Sequence, residues 1–279
     1  MGIADLLLRP LRSRVVTSPY PRDTALSDRA DRGVPVLDPA RCTLSGACET
    51  VCPTGAITIE ESGNGPAQWS IDHGRCVACG DCVRACPTAA VHAESEIDPV
   101  APTRGSLVRT WTVGNAGGRM SREGAEAELK SAISRKLRRS LHVRQLDSGS
   151  CNGCDWEMNT LLNPVHDLQR LGIDFVASPR HADLLLVTGA MTRNLVQAAR
   201  LTYEAMPEPR LVVAVGACAA GGMFGESYAT AGGIEAVLPV DIFISGCPPR
   251  PESLIRGLLA AVGRMPTTEE GPARPAAES

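Results

Sequence analysis

The feature that most restricts the fold of this 279-residue chain is a run of four closely spaced cysteines followed by a proline. The run CVACGDCVRACP has the cysteine spacing of bacterial ferredoxins, in which three thiolates bind one iron–sulfur cluster and the fourth reaches another. Buried structural cysteines would match this pattern only by coincidence, and zinc sites favour two separated C-x2-C pairs. The run therefore predicts iron–sulfur ligation by Cys76, Cys79, Cys82 and Cys86.

The same pattern occurs 34 residues earlier. RCTLSGACETVCPTGAI from Arg41 aligns with RCVACGDCVRACPTAAV from Arg75. The alignment pairs cysteines at three positions: Cys42 with Cys76, Cys48 with Cys82, and Cys52 with Cys86. At the remaining position the first copy has Ser45 where the second has Cys79. Each copy is too short to hold a core, so we expect the two to fold around each other.

The ferredoxin crossover rule predicts two clusters with unequal ligand sets. The complete set suits a 4Fe-4S cluster and consists of Cys76, Cys79, Cys82 and Cys52. The incomplete set consists of Cys42, Cys48 and Cys86. Three thiolates suit a 3Fe-4S cluster, or a 4Fe-4S cluster whose fourth iron binds the Ser45 oxygen or water.

The other four cysteines fall in a region that alternates strand-like and helix-like segments. We predict strands at 142–146, 174–177, 183–187, 211–215 and 241–244, and helices at 156–170, 193–205 and 251–264. Continuous apolar strands separated by helices indicate a parallel sheet, and ligands bind at the carboxyl ends of such strands. Cys218 or Cys247 alone could be structural. Together, four cysteines follow three of the strands and predict a 4Fe-4S cluster: Cys151, Cys154, Cys218 and Cys247.

Composition limits the class of protein. Eleven cysteines cannot all pair with one another, so metal or redox chemistry in a reducing compartment is the better expectation. A net charge of −3 gives no reason to expect nucleic-acid binding. No stretch approaches the roughly 18 apolar residues of a membrane span, and the N-terminus lacks signal-peptide features. We therefore expect a cytoplasmic protein.

Two parts of the chain resemble subunits of one class of complex. Residues 120 to 265 look like the small subunit of energy-converting NiFe hydrogenases, particularly formate hydrogenlyase, through DSGSCNGCDWE, SPRHADLLLVTGAMTR, GAC and GCPP. Residues 1 to about 100 resemble the two-cluster ferredoxin subunit of those complexes, through TSPYP, the paired cysteine runs and WSIDHGRC. The resemblance implies an α+β two-cluster ferredoxin domain followed by an α/β flavodoxin-like domain with a mainly parallel sheet, joined in one chain.

The expected organisation has four segments. They are a ferredoxin-like domain at 1–100, a Pro/Gly/Ser/Thr-rich linker at 101–120, a hydrogenase-small-subunit-like domain at 121–265 and a disordered tail at 266–279. Residues 121–140 predict an amphipathic helix whose apolar stripe faces the core, a partner or a membrane. The apolar spacing within residues 3–11 allows a short interfacial anchor.

The resemblance implies an electron-transfer subunit with three centres in series and no catalytic site of its own. It further implies three kinds of partner: a NiFe hydrogenase-type large subunit, membrane ion-translocating subunits and an upstream electron donor. The chain would then lie peripherally on the inner face of the cell membrane. The C-x2-C spacing of Cys151 and Cys154 favours the hydrogenase branch, because the complex I homologue has an adjacent Cys-Cys pair. A complex I-like quinone oxidoreductase and a non-redox, metal-stabilised scaffold stay open as alternatives.

Three further residues are candidates for interface or outer-shell roles. Glu157 matches an acidic position of the family and could assist proton movement beside the large subunit, although a solvated acid at a helix start explains it too. Arg180 and His181 follow a predicted strand and could donate hydrogen bonds to cluster sulfurs or to a partner. An ordinary loop histidine is an equally good interpretation of His181.

Overall fold

The computed structural model describes residues 16–18, 20–21, 33–60, 66–94, 99–113 and 140–263. The predicted tail at 266–279, the apolar stretch at 3–11 and all but the last residue of the predicted helix at 121–140 lie outside these ranges. Within them, no helix combines the length and the apolar character that crossing a lipid bilayer requires.

The described chain forms three sheets with helices between the strands. In chain order, the elements are β1 (Val34–Leu37), α1 (Ala47–Thr50), β2 (Ile57–Glu60), β3 (Gln68–Asp72), α2 (Asp81–Ala85), β4 (Val91–Glu94), β5 (Val100–Ala101), β6 (Val108–Thr112), β7 (Leu141–Asp147), α3 (Gly153–Thr160), β8 (Ile173–Phe175), β9 (Leu184–Thr188), α4 (Val196–Glu204), β10 (Leu211–Val215), α5 (Gly216–Ala219), β11 (Ile242–Ile244) and α6 (Pro251–Ala261). Short 3-10 helices lie at Gly105–Leu107, Leu168–Leu171, Pro179–His181, Arg193–Leu195 and Ile234–Ala236.

The cysteine repeat folds around one small core. β1 pairs antiparallel with β4, which brings the start of the first copy against the end of the second. β2 pairs antiparallel with β3. Ile57 of β2 and both Trp69 and Ile71 of β3 are buried, and they pack with cysteines of both copies. The two copies therefore share one core, as their short length predicts.

A six-stranded sheet in the order β5-β11-β10-β9-β7-β8 forms the second domain. Strands β7 to β11 run parallel, which confirms the predicted mainly parallel sheet. β9 and β10 are buried along their whole length because α3 and α6 cover one face and α4 and α5 cover the other. Their uninterrupted apolar sequences reflect burial on both faces.

The helix predicted over 156–170 begins earlier and is shorter in the structure. α3 starts at Gly153 and ends at Thr160, and a 3-10 turn follows only at 168–171. Pro164 disfavours helical backbone at Asn163, whose side-chain oxygen accepts hydrogen bonds from the N–H groups of Val165 at 2.9 Å and His166 at 3.0 Å. This local turn replaces the second half of the predicted helix.

The stretch predicted as a linker, 101–120, differs from that expectation over 101–113. β5 pairs antiparallel with β11 and forms an edge of the large sheet, whereas β6 pairs with β3 in the ferredoxin-like domain. Ala101 and Leu107 are buried in a core of the large sheet and Trp111 in the core of the cysteine repeat, so the segment packs on both domains. Residues 114–120 lie outside the described ranges.

The TSPYP segment also lies differently from its expected place in the first domain. Ser18 donates its N–H to the carbonyl of Val165 at 2.7 Å, and Arg170 donates to the carbonyl of Tyr20 at 2.5 Å. The Tyr20 side chain is buried in the core between the large sheet, α3 and α6. This part of the N-terminal region therefore packs on the second domain.

Candidate metal centres

The four cysteines of the complete ferredoxin set line one cavity, together with apolar residues such as Ile57 and Ile71. They come from two loops and one helix of both repeat copies: Cys52, Cys76, Cys79 and Cys82. Burial first, and then the negative charges of the other three thiolates, raise the pKa of Cys82 to about 12. Four mutually repelling thiolates in an apolar cavity fit a positively charged iron core, which stabilises their ionised form.

Hydrogen-bond donors surround the sulfurs of this set. The N–H of Ala56 donates to Cys52 Sγ at 3.2 Å, and the N–H of Ala78 donates to Cys76 Sγ at 3.4 Å. Burial opposes ionisation of Cys52, but hydrogen bonds from Ala56, Thr54 and Ile57 lower its pKa overall. Backbone donors to sulfur stabilise thiolate charge, which is the environment that iron–sulfur ligands require.

The incomplete set packs in and against the same shared core. Cys48 is buried, and burial followed by the charge of Cys86 raises its pKa. The N–H of Val91 donates to Cys86 Sγ at 3.4 Å, and such donors lower the Cys86 pKa against the opposing effect of burial. Cys42 packs against the same core. Two of the three predicted thiolates thus interact directly, and the third lies beside the same core.

Ser45 occupies the same backbone environment as Cys79. The preceding residues, Leu44 and Ala78, have φ values of 55° and 53°, and the following Gly46 and Gly80 have φ values of 71° and 76°. Both Ser45 and Cys79 are exposed. The first copy therefore keeps the loop that presents a ligand, although it presents a hydroxyl in place of a thiol.

The third set of cysteines converges at the carboxyl end of the large sheet. They follow β7, β10 and β11: Cys151, Cys154, Cys218 and Cys247. Burial first, and then the charges of the other three cysteines, raise the pKa of Cys154 to about 12. Burial, and then the charges of Cys247 and Cys151, raise the pKa of Cys218 to about 11. Cys151 is exposed, so this set reaches the protein surface.

A glycine makes room for one of these sulfurs. Gly216 begins α5 with a φ of 90°, and a Cβ atom there would lie 2.7 Å from Cys154 Sγ. Any side chain at this position would strain the backbone and displace the sulfur. The position thus requires glycine for both conformation and space.

Asp155 is a functional candidate that sequence reasoning missed. Its carboxylate accepts hydrogen bonds from Gln145 Nε2 at 2.7 Å, Ser150 Oγ at 2.6 Å and Thr188 Oγ1 at 3.0 Å. It therefore connects β7 and β9 to the loop that carries Cys151 and to α3, which carries Cys154. Its position directly after the C-x2-C motif was the available signal.

The three candidates for interface or outer-shell roles lie in two places. One is close in sequence to the third cysteine set and two are on a separate turn. Glu157 is half-buried on α3, three residues after Cys154. Arg180 and His181 are exposed on the 3-10 turn after the edge strand β8. In that turn their backbone N–H groups bond to Ser178.

The cysteine sets are spaced more widely than a single ion requires. Within the described ranges, no three His, Cys, Asp or Glu side chains converge closely enough to hold one metal ion. All eleven cysteines fall within those ranges and are thiols, not disulfides. A cluster distributes its ligands over several irons, so it does not require three of these side chains to meet at one ion.

Comparison with known proteins identifies both domains. Residues 151–261 match the family of the NADH ubiquinone oxidoreductase 20 kDa subunit, and residues 27–90 match the 4Fe-4S dicluster domain. The chain is 44% identical over 138 residues to a probable membrane-bound hydrogenase subunit of Pyrococcus furiosus, covering 49% of this chain and 83% of that protein. The chain belongs to the 20 kDa subunit family. Its predicted resemblance to that family and to two-cluster ferredoxins is confirmed.

Two other similar proteins come from two different kinds of complex. Formate hydrogenlyase subunit 7 of Escherichia coli is 41% identical over 140 residues, which is 50% of this chain and 55% of that protein. An NADH-quinone oxidoreductase subunit of Citrifermentans bemidjiense is 48% identical over 106 residues, which is 38% of this chain and 62% of that protein. The chain thus spans less than two thirds of each of these two relatives.

Proposed function

We propose that the protein is the iron–sulfur electron-transfer subunit of a membrane-associated NiFe hydrogenase-type complex. The observation that carries the proposal is the grouping of all eleven cysteines into sets of four, three and four within two domains that pack together. Bound clusters would supply one-electron oxidation and reduction without making or breaking a bond. The chain itself holds the ligands, buries or half-buries nine of the eleven and donates hydrogen bonds to several of their sulfurs.

Two cysteine sets have four thiolates, and each would hold a 4Fe-4S cluster. The first is Cys52, Cys76, Cys79 and Cys82, and the other is Cys151, Cys154, Cys218 and Cys247. The match to a 4Fe-4S dicluster domain supports a cluster also at Cys42, Cys48 and Cys86. That cluster would be of the 3Fe-4S type, or of the 4Fe-4S type with Ser45 or water on the fourth iron. The unchanged backbone around Ser45 favours the four-iron form.

An exposed apolar surface beside the third set supports a protein partner there. Trp156 is 73% exposed, Leu162 is 52% exposed and Val165 is 40% exposed, all on or after the helix that carries Cys154. Exposed apolar patches of this kind favour protein contacts. We assign this surface to the catalytic large subunit, with Glu157 beside it; Arg180 and His181 would contact cluster sulfurs or a partner.

The relatives suggest the rest of the complex. One is named as a membrane-bound hydrogenase subunit and another as a formate hydrogenlyase subunit. By analogy, the chain would also work with membrane ion-translocating subunits and an upstream electron donor, as a peripheral protein on the inner face of the cell membrane. The order β8-β7-β9-β10-β11 of the parallel strands supports a flavodoxin-like second domain.

A complex I-like quinone oxidoreductase is the second candidate. The similarity to the NADH-quinone oxidoreductase subunit favours it. The C-x2-C spacing of Cys151 and Cys154 favours the hydrogenase, because an adjacent pair is expected in the complex I branch. Nickel analysis and hydrogen uptake by the intact complex separate the two, since only the hydrogenase should show both.

The proposal can be tested on the full chain purified without oxygen. Mössbauer spectroscopy and iron and sulfide analysis should show two four-iron clusters and a third cluster of three or four irons. Dithionite should bleach the visible absorption reversibly. A chain that binds iron but cannot be reduced would act as a non-redox scaffold and would contradict electron transfer.

A further inference from the structure

A cluster of contacts joins the ferredoxin-like domain to the second domain at one point. Arg104 lies in the segment between β5 and β6, which connects the two sheets. Its Nη1 and Nη2 donate to the two carboxylate oxygens of Asp72, both at 2.7 Å. Its Nε donates to the carbonyl of Ala220, also at 2.7 Å. One guanidinium therefore links both domains through three hydrogen bonds.

Each end of this link belongs to a cysteine loop. On one side, Asp72 Oδ1 accepts a hydrogen bond from Gly74 N at 2.9 Å, and the Asp72 carbonyl accepts one from Cys76 N at 3.1 Å. Asp72 thereby shapes the turn that leads into Cys76. On the other side, Ala220 follows α5 two residues after Cys218, and its N–H donates to Gly216. Arg104 thus connects a loop of the complete ferredoxin set to a loop of the third set.

The two loops touch through glycine backbone. A Cβ atom at Gly222 would lie 1.9 Å from the carbonyl oxygen of Gly74, and a Cβ atom at Gly74 would lie 2.5 Å from Arg104 Cζ. At Gly222 the obstacle is the facing backbone, and at Gly74 it is the guanidinium of Arg104 itself. The approach of the two cysteine loops is therefore as close as their backbones allow, and the Arg104 link holds them there.

Only arginine suits this link. A guanidinium has a planar fork that binds both oxygens of a carboxylate and still has Nε for a third acceptor. The Arg104 and Asp72 side chains are 23% and 20% exposed, so water screens the pair only in part. A lysine at this position would keep the charge but not the three-point geometry.

We propose that Arg104 is a positioning residue that sets the separation between the complete ferredoxin set and the Cys151/Cys154/Cys218/Cys247 set, and thereby the rate of electron transfer between them. This inference rests on the proposed function. One electron crosses the junction, so one centre is oxidised as the other is reduced, and no proton or bond changes. Tunnelling slows steeply with distance, so a small opening of the junction slows the transfer.

The test compares full-length variants purified without oxygen. Arg104→Gln removes the charge and the fork, Arg104→Lys keeps the charge, and Gly222→Ala forces the loops apart without touching Arg104. Arg193→Gln is the matched control, because Arg193 makes similar bonds within the second domain alone. Its Nε donates to the carbonyl of Ser227 at 2.7 Å, and its Nη2 donates to the carboxylate of Glu226 at 3.0 Å.

The readouts separate positioning from folding. Iron content should match the unmodified protein in all variants, and Arg104→Lys and Gly222→Ala, which keep the charges, should also keep the midpoint potential of each cluster. In Arg104→Gln and Gly222→Ala, the magnetic interaction between the two reduced clusters, seen by EPR, should weaken, and freeze-quenched reduction across the junction should slow several-fold. Arg104→Lys should give an intermediate effect, and Arg193→Gln should give none.

Two outcomes overturn the inference. If Arg104→Gln and Gly222→Ala keep full iron content together with unchanged magnetic interaction and unchanged transfer rate, the junction does not set the separation. If Arg193→Gln slows the transfer as much as Arg104→Gln, the effect is a general loss of stability. A failure of the proposed function is distinct, because the unmodified protein would then lack reducible clusters.

Discussion

Trp69 donates its indole N–H to the sulfur of Cys48 at 3.4 Å, across 21 residues of sequence. Both side chains are buried in the core shared by the two repeat copies. The bond therefore ties the core of the ferredoxin-like domain to a proposed ligand of the incomplete set. Hydrogen bonds to ligand sulfur disperse negative charge and so favour the reduced state of an iron–sulfur centre.

Trp69→Phe should lower the midpoint potential of the centre at Cys42, Cys48 and Cys86 and leave the other two unchanged. Phenylalanine keeps most of the apolar contact but has no N–H to donate. EPR-monitored redox titration measures each centre. Trp111→Phe is the control, because Trp111 packs edge-on against Trp69 with ring centroids 5.2 Å apart and should leave all potentials in place. Equal shifts in the two variants would contradict a specific role for the hydrogen bond.

Ser45→Cys should convert the incomplete set into one with four thiolates. The backbone around Ser45 matches that around Cys79, so a cysteine there should point its sulfur as Cys79 does. The variant should hold four irons at this site and resist loss of one iron under mild oxidation. Mössbauer spectroscopy before and after ferricyanide treatment measures this. Ser45→Ala should favour the three-iron form, and a four-iron cluster as stable as before in that variant would exclude the serine oxygen as a ligand.

The local part of this architecture was predictable from the sequence. The cysteine spacing predicts the repeat because the same short turns recur, and the apolar runs of β9 and β10 match their predicted ranges within one residue. Helix ends were less accurate where one side chain decided them. Asn163 and Pro164 end the predicted helix early through a turn that periodicity does not reveal.

The contacts between the two domains were not predictable. Arg104 reaches Asp72 across 32 residues and Ala220 across 116, in a segment whose composition indicates a linker. No pattern along the chain links these positions. Their proximity depends on the pairing of β5 with β11 and of β6 with β3, which joins residues 100–112 to both sheets. The Asp155 network was missed for the same reason. Asp155 lies on α3 and its partner Thr188 at the end of β9, 33 residues away in sequence.

Asp155→Asn and Asp155→Ala should separate the electrostatic and structural roles of this carboxylate. Both remove a negative charge that raises the pKa of Cys154, so both should raise the midpoint potential of the third centre. Asp155→Asn keeps one acceptor oxygen for Gln145 and Thr188, and its amide can donate to Ser150 Oγ, whereas Asp155→Ala loses all three bonds, which should cost about 1–3 kcal/mol of stability. Redox titration and anaerobic urea unfolding measure the two effects. A potential that rises only in the alanine variant would assign the change to loop disorder.

The protein stripped of iron should become less stable as the pH rises from about 9 towards about 12. Folded Cys82 and Cys154 have pKa values raised to about 12, mainly by burial, so they keep their protons where unfolded cysteines near 9 have lost theirs. The folded state then binds more protons than the unfolded state, and a rising pH favours unfolding. Cys52 and Cys86 have lowered pKa values in the fold, so below about pH 9 they make the folded state more stable as the pH rises.

Urea unfolding of the stripped protein at pH 8, 9, 10 and 11 should therefore show that the urea concentration at half-unfolding falls above pH 9. Cys82→Ser and Cys154→Ser should each flatten this dependence, because a serine hydroxyl does not titrate in the range. The iron-loaded protein should show a weaker dependence, since iron holds the cysteines as thiolates. A midpoint in the stripped protein that stays constant or rises up to pH 11 would show that these two thiols do not resist ionisation in the fold.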